Sequence, residues 1–276
     1  MEYVNQNGRL IAKENAAVSL ADRGFRYGDS LFETIRLENG YPYQWDFHMA
    51  RLAGGLAAIR IDFAIESLKS LSDELIYANA LSDGLLRIQI SRGEGGRGYL
   101  PDADSKPTLV METMKLPVPP AEAITLWQST YEKISDKSLP VQHKLSQGLN
   151  STLARMEAAD NGCFDALMMN ARGEICETSS ANIFWCKNDV WYTPDLSCGV
   201  LAGSTRAALL RLLGDKAKET TATLAEITHA DAVVICNVAW GVVAVNRILP
   251  LDLSWESELH AKKLNDLYYS DIGRLS

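Results

Sequence analysis

Apolar residues recur at helical spacing at Met49, Leu52, Leu56 and Ile59, which predicts a helix capped by Asp46 and running to about Ile59. A second helix is expected over Ala64 to Asn79. Around this pair the pattern has a shorter period. Asn7-Gly8 reads as the turn of an opening hairpin, and Glu38-Asn39-Gly40 separates strands at Phe32 to Leu37 and Tyr41 to Trp45. Leu85 to Ser91 and Thr108 to Thr113 read as strands on either side of a glycine-rich loop. Strands before and after two helices describe an α+β domain.

A different texture follows. Residues 114–120 include KLPVPP, which carries three of the nine prolines and predicts a stiff linker. It divides a small N-terminal α+β domain, residues 1–113, from a larger C-terminal domain, residues 121–276. In the second domain, strands are expected at Ile124 to Ser129, Phe164 to Met169, Asn182 to Cys186, Val190 to Tyr192 and Ala232 to Cys236. Asn188-Asp189 supplies a hairpin turn. Helices are expected at Ser151 to Asp160, Ser204 to Leu213 and from about Ser254. Short strands dominate, so the pattern favours a barrel-like mixed sheet over a doubly wound parallel one.

Composition narrows the function classes. The 276 residues include 27 Lys plus Arg against 35 Asp plus Glu, a net charge of −8, with no basic stripe. That argues against a nucleic-acid partner. MEYVNQNGRL lacks the features of a signal peptide. The apolar run from Ala230 to Val245 is broken by Asp231, Asn237 and Gly241, so no membrane partner is expected. Five cysteines (163, 176, 186, 198, 236) form no CxxC pair and four histidines are scattered, so neither a disulfide framework nor a metal site is expected. A reducing cytoplasm fits this usage.

Three features carry candidate chemistry. Lys144 stands in VQHKLSQGLN, before a helix; a lysine that bonds a carbonyl carbon or moves a proton must be partly desolvated. GVLAGSTRAALL (199–210) opens a helix with glycine, serine and threonine, which suits a phosphate, or else a plain helix capped by Ser204 or Thr205. ETSSANIFW (177–185) sets a carboxylate before small hydroxyl residues and a strand; pyridoxal phosphate enzymes place such a group against the pyridine nitrogen.

With these three features in this order, the chain resembles the fold-type IV (class IV) pyridoxal phosphate-dependent aminotransferase family, and within it bacterial aminodeoxychorismate lyases. The matching blocks are ADRGFRYGDSLFETIR (21–36), HMARL (48–52), ISRGEGGRGY (90–99), the Lys144 segment, ARGEICETSSANIFW (171–185), GVLAGSTR (199–206) and VICNVAWGVVAV (234–245). The resemblance implies pyridoxal 5′-phosphate as cofactor, a two-domain fold with the cofactor between the domains, and a homodimer. It makes Lys144 the Schiff-base lysine and acid/base, and Glu177 the partner of the pyridine nitrogen. Arg51, the backbone amides of Ser204 and Thr205, and the Thr205 hydroxyl would hold the phosphate, with Asn237 and Val238 beside the cofactor.

The same resemblance frames the substrate. Gly93 to Tyr99 would be a mobile loop lent to the neighbouring subunit's site, with Arg97 pairing a substrate carboxylate and Tyr99 supporting it, and with Phe32 lining the pocket. GGRGY and Cys236-Asn237 look like the lyases; Val238 stands where branched-chain aminotransferases carry a phosphate-binding threonine. Gln147 departs from the asparagine common three residues after the lysine. The expected activity is conversion of 4-amino-4-deoxychorismate to 4-aminobenzoate and pyruvate. The alternative is an aminotransferase for D-amino acids, branched-chain amino acids or (R)-amines.

Overall fold

Alternation of apolar and polar side chains organises the first sheet. The computed structural model describes residues 2–273. These fall into two compact units, one reaching Leu116 and also containing His143–Gln147, the other containing Pro117–Gln142 and the chain from Gly148 onward. In the first unit lie β1 (Tyr3–Gln6), β2 (Arg9–Ala12), β3 (Ser30–Glu38), β4 (Tyr41–Pro42), β5 (Gly84–Ser91) and β6 (Thr108–Met114). They form an antiparallel sheet in the order β2-β1-β6-β5-β3-β4. Leu31, Ile35, Leu37, Leu86, Ile88, Ile90, Leu109 and Met111 point from it into one core. Helices α2 (Trp45–Ala58) and α3 (Leu68–Ala78) cover that core with Met49, Leu52, Leu56, Leu68, Leu75 and Ile76, while α1 (Arg23–Tyr27) is a short turn.

The second unit holds β7 (Ile124–Gln128), β8 (Asp165–Met169), β9 (Ile175–Thr178), β10 (Asn182–Lys187), β11 (Val190–Pro194), β12 (Ala217–Thr220), β13 (Ala232–Asn237), β14 (Gly241–Leu249) and β15 (Leu253–Ser254). Six of them close into the mixed barrel that the short strands implied. The order is β10-β13-β14-β7-β8-β9, with β7 parallel to both β14 and β8. Closure depends on one residue pair, Asn182 opposite Glu177. The rest of that edge of β10 goes to β11, which begins after the Asn188-Asp189 turn, both residues at positive φ. Helices α4 (Leu149–Asp160), α5 (Ser204–Leu213) and α7 (Glu258–Ile272) pack against the barrel strands, and α6 (Leu224–Ile227) adds Ile227 to the barrel core.

Several local expectations are corrected. Asp46 does not cap α2: Gln44 is the cap residue, at φ 53°, and Asp46 sits in the first turn, where a carboxylate still complements the helix dipole. The second helix starts at Leu68 rather than Ala64. The last starts at Glu258, because Leu253–Ser254 pairs with β14. Neither Ser204 nor Thr205 caps α5; Gly203 does, and no side chain bonds the helix start. Beyond Cys236 the apolar run is a hairpin, β13 to β14, turning at Asn237 to Gly241. Among the described residues no helix is long and apolar enough to cross a membrane.

Candidate active site

Lys144 is held by strand pairing. β4 is two residues long and leaves the Ser30 end of β3 open on one edge, and the Lys144 segment takes that edge. Phe32 N donates to Lys144 O (2.9 Å), Ser146 N donates to Ser30 O (3.0 Å), and Leu145 lies opposite Leu31. This sets Lys144 Nζ 4.7 Å from the centroid of the Phe32 ring. A second cation, Arg87 on β5, rests its guanidinium carbon 3.8 Å from the same centroid. Arg87 is half-buried: burial lowers its pKa, and Glu112 opposes that. Arg87 escaped the sequence reading, although strand alternation puts both it and Phe32 off the core face.

On the core face of β3, Glu33 is buried against α2. Arg51 Nε donates to Glu33 Oε1 (2.8 Å), Arg51 Nη2 donates to Oε2, and His48 Nδ1 lies 2.7 Å from Oε2. Arg51 therefore meets any anion as half of an ion pair, not as a bare cation. Burial holds His48 below its ordinary pKa against the pull of Glu33, so its imidazole is neutral and Nδ1–H donates. The Lys144 segment abuts the same helix: His143 Nδ1 donates to the Arg51 carbonyl (3.2 Å). Gly54 and Gly55 make room for it, since a Cβ on either would lie 2.9 or 3.1 Å from His143.

Glu177, at the barrel seam, is the centre of a second cluster. Its Oε2 accepts from Asn182 Nδ2 (2.9 Å) and Leu201 N (3.2 Å), and its Oε1 pairs with Lys133 Nζ (2.8 Å). Asn182 Nδ2 also donates to Leu201 O (3.0 Å), which ties the loop before α5 to the seam. Gly203 follows in that loop, and a Cβ there would lie 2.0 Å from Asn182 Oδ1. Ser204 and Thr205 are buried at the helix start, and Thr205 Oγ1 lies 3.3 Å from Tyr268 Oη of α7. After Glu177 the chain is pinned by Asp165, whose carboxylate accepts from the Ser179 and Ser180 hydroxyls. Lys133, Asn182 and Asp165 were all missed in the sequence, where nothing links them to Glu177.

Asn237 and Val238 form the β13–β14 turn. Asn237 Oδ1 accepts from Ala239 N (3.0 Å) and Trp240 N (2.9 Å), and Nδ2 donates to Ser180 O (3.3 Å). Its side chain is thus divided between the turn, held by Oδ1, and the β9–β10 loop, held by Nδ2. In the first unit, Arg97 and Tyr99 are exposed, with the Tyr99 ring 5.8 Å from that of Tyr27. Their loop is tied down at its carbonyls. Buried Arg23 donates to Gly96 O (3.3 Å), Gly98 O (2.9 Å) and Tyr99 O (3.1 Å), and is itself held by Asp29 (3.0 Å).

The comparisons with known proteins agree with one another. The amino-transferase class IV family model matches residues 30–248. D-alanine aminotransferase from Bacillus licheniformis is 31% identical over 253 residues, covering 88% of this chain and 87% of the relative. Aminodeoxychorismate lyase from Vibrio harveyi is 30% identical over 242 residues, covering 84% and 87%. Among solved structures, 4-amino-4-deoxychorismate lyase from Pseudomonas aeruginosa superposes with a TM-score of 0.84 at 29% identity, covering 97% of this chain and 98% of that one. The chain belongs to the class IV aminotransferase family. It is a pyridoxal 5′-phosphate-dependent enzyme, either a lyase or an aminotransferase.

The donor set suits that cofactor. A half-buried lysine beside an aromatic ring suits its aldehyde, and a buried, braced carboxylate suits its ring nitrogen. A helix start with two buried hydroxyl residues and no side-chain cap, behind a glycine that cannot bear a Cβ, suits its phosphate.

Proposed function

We propose that the protein converts 4-amino-4-deoxychorismate to 4-aminobenzoate and pyruvate. The observation that carries this reading is the Phe32–Arg87 surface beside Lys144. A flat ring bearing a guanidinium, next to the base, suits a carboxylated ring that becomes planar as it aromatises better than a small aliphatic amino acid. The substrate has two carboxylates, and Arg87 and Arg97 are the two guanidiniums assigned to them, with Tyr99 supporting Arg97.

When bound, pyridoxal phosphate supplies an electron sink to the carbon that bears the substrate amine. Lys144 would tether it through Nζ and, once free of it, would take the proton from the carbon that bears the substrate amine. Departure of the enolpyruvyl oxygen from the neighbouring carbon leaves an aromatic ring, and the released enol becomes pyruvate. Glu177 would hold the ring nitrogen protonated. The Ser204 and Thr205 amides, the Thr205 hydroxyl and the Arg51–Glu33 pair would hold the phosphate, and the Asn237–Val238 turn would lie beside the cofactor.

An aminotransferase shares each of these residues and differs in where Lys144 delivers its proton; the similarity to D-alanine aminotransferase supports it as the second reading. Incubation with aminodeoxychorismate and no keto acid separates the two. Equimolar pyruvate and 4-aminobenzoate are expected, whereas product that appears only after a keto acid is added overturns the lyase. Lys144→Ala should abolish the visible band of the bound cofactor and lower turnover by at least about a hundredfold.

A further inference from the structure

Lys133 belongs to no motif, yet it is not an ordinary surface lysine. Its side chain is 14% exposed and that of Glu177 8%, with 2.8 Å between Nζ and Oε1. The backbone that presents it is anchored by β8 and α4. Ser129 N donates to Leu167 O (2.9 Å) and Lys133 N donates to Met169 O (2.9 Å). Glu157 of α4 accepts from Ser129 Oγ (2.6 Å), Thr130 N (3.0 Å) and Thr130 Oγ1 (2.7 Å), and Asn150 Nδ2 donates to Glu132 O (3.1 Å). A lysine held this way has lost the freedom that makes surface ion pairs weak.

The two carboxylate oxygens of Glu177 are used differently. Oε2 accepts from neutral donors, Asn182 Nδ2 and Leu201 N. Oε1 meets the ammonium. A carboxylate offers about four acceptor positions, so a further donor still has a place on Glu177. If that donor is a protonated ring nitrogen, two cations share one buried carboxylate.

We infer that Lys133 is a positioning residue that sets how much negative charge Glu177 presents to the cofactor's ring nitrogen. The inference rests on the reading of Glu177 as that nitrogen's partner. Before the cofactor binds, Lys133 balances a buried carboxylate that would otherwise be uncompensated. Once it binds, the same ammonium competes for Oε1 and moderates the grip on the ring. Lys133 thus stabilises the apoprotein and holds cofactor affinity below its maximum.

The test uses the full chain, stripped of cofactor and titrated with pyridoxal 5′-phosphate while the visible band is followed. In Lys133→Met the apoprotein should melt at a lower temperature, while the cofactor binds at least about fivefold more tightly, because the ring nitrogen becomes Glu177's only charged partner. Lys133→Gln keeps a donor without the charge and should behave the same way; Lys133→Arg should restore both properties. A merely structural lysine predicts the opposite pairing, stability and affinity falling together. That result, affinity within twofold of the parent, or failure of the arginine to restore it overturns the inference. Glu177→Gln is the control for the underlying reading: its cofactor should bind at least about tenfold more weakly, and unchanged binding there overturns the role of Glu177 itself.

Discussion

Gly203 has a neighbour, not a conformation, to account for it: its backbone is ordinary extended chain. A methyl group there would overlap Asn182 Oδ1 at 2.0 Å, and Asn182 is the residue that bonds Glu177 to the Leu201 backbone. Gly203→Ala should therefore act at a distance, by pushing Asn182 off Glu177 Oε2. Loss of one hydrogen bond to a buried charged group costs about 1.5–3 kcal/mol whether or not the cofactor is bound, so the apoprotein should lose about that much stability. Urea unfolding of the apo variant measures this, and stability equal to the parent would show that the amide can move aside without disturbing the carboxylate. The residue scale is also where the sequence was least informative. Lys144 and Glu177 come forward through the resemblance, but what steadies them is long-range. Lys133 is brought to Glu177 by its bond to β8, the strand that pairs with β9, and Arg87 to Phe32 by the register of β3 on β5. Neither contact leaves a local signal in the chain.

Elements with a strong local signal were legible: the Asn7-Gly8 and Asn188-Asp189 hairpins, and α5 from Ser204 to Leu213. Elements defined by their partners were not. β9 and β12 are four residues each, too short for a period to show, and β14 lay hidden in an apolar run whose turn carries no Asn-Gly pair. The Lys144 segment becomes strand-like only because β3 has an open edge. Pairing between elements can also be tested by pH, since Glu33 of β3 is fastened to His48 and Arg51 of α2. Burial lowers the His48 pKa from its ordinary 6.5, with Arg51 and Lys144 adding to it and Glu33 opposing. Burial alone would raise Glu33, but the hydrogen bonds from Arg51 and His48 bring it below its ordinary 4.5. Both groups bind fewer protons folded than unfolded, so each contributes stability that is lost as pH falls. The His48 share begins to go below pH 6.5 and the Glu33 share only below 4.5. Urea unfolding of the apoprotein from pH 8 down to pH 4.5, at about half-unit steps, should show a shallower decline for His48→Asn than for the parent. Parallel declines would mean that His48 does not titrate in that window.

At the scale of the molecule, the sequence suggested a barrel from strand length alone, and the barrel is there, closed by a single residue pair at the carboxylate proposed to meet the cofactor. The chain's arrangement with a second copy is a proposal, and the loop at Gly93 to Tyr99 is where it can be decided. Arg97 and Tyr99 are exposed while Arg23 holds the carbonyls beneath them, so the loop presents its side chains outward on a fixed base. We propose that in a homodimer this Arg97 serves the partner's Lys144. Two variants, Lys144→Ala and Arg97→Ala, are then each deficient alone but complementary when mixed. In a hybrid dimer one site would combine the intact lysine of one chain with the intact arginine of the other, and the second site would lack both. If subunits exchange at random, half the dimers are hybrids with one working site in two, so activity should recover to about a quarter of the parent's. An arginine serving its own chain's lysine leaves every site in the mixture with one defect, and mixing then restores nothing. A chain that stays monomeric by sedimentation gives the same null result, so the size measurement is made on the same mixture. A dimer without recovery places Arg97 on its own chain's site, and a monomer overturns the dimer itself.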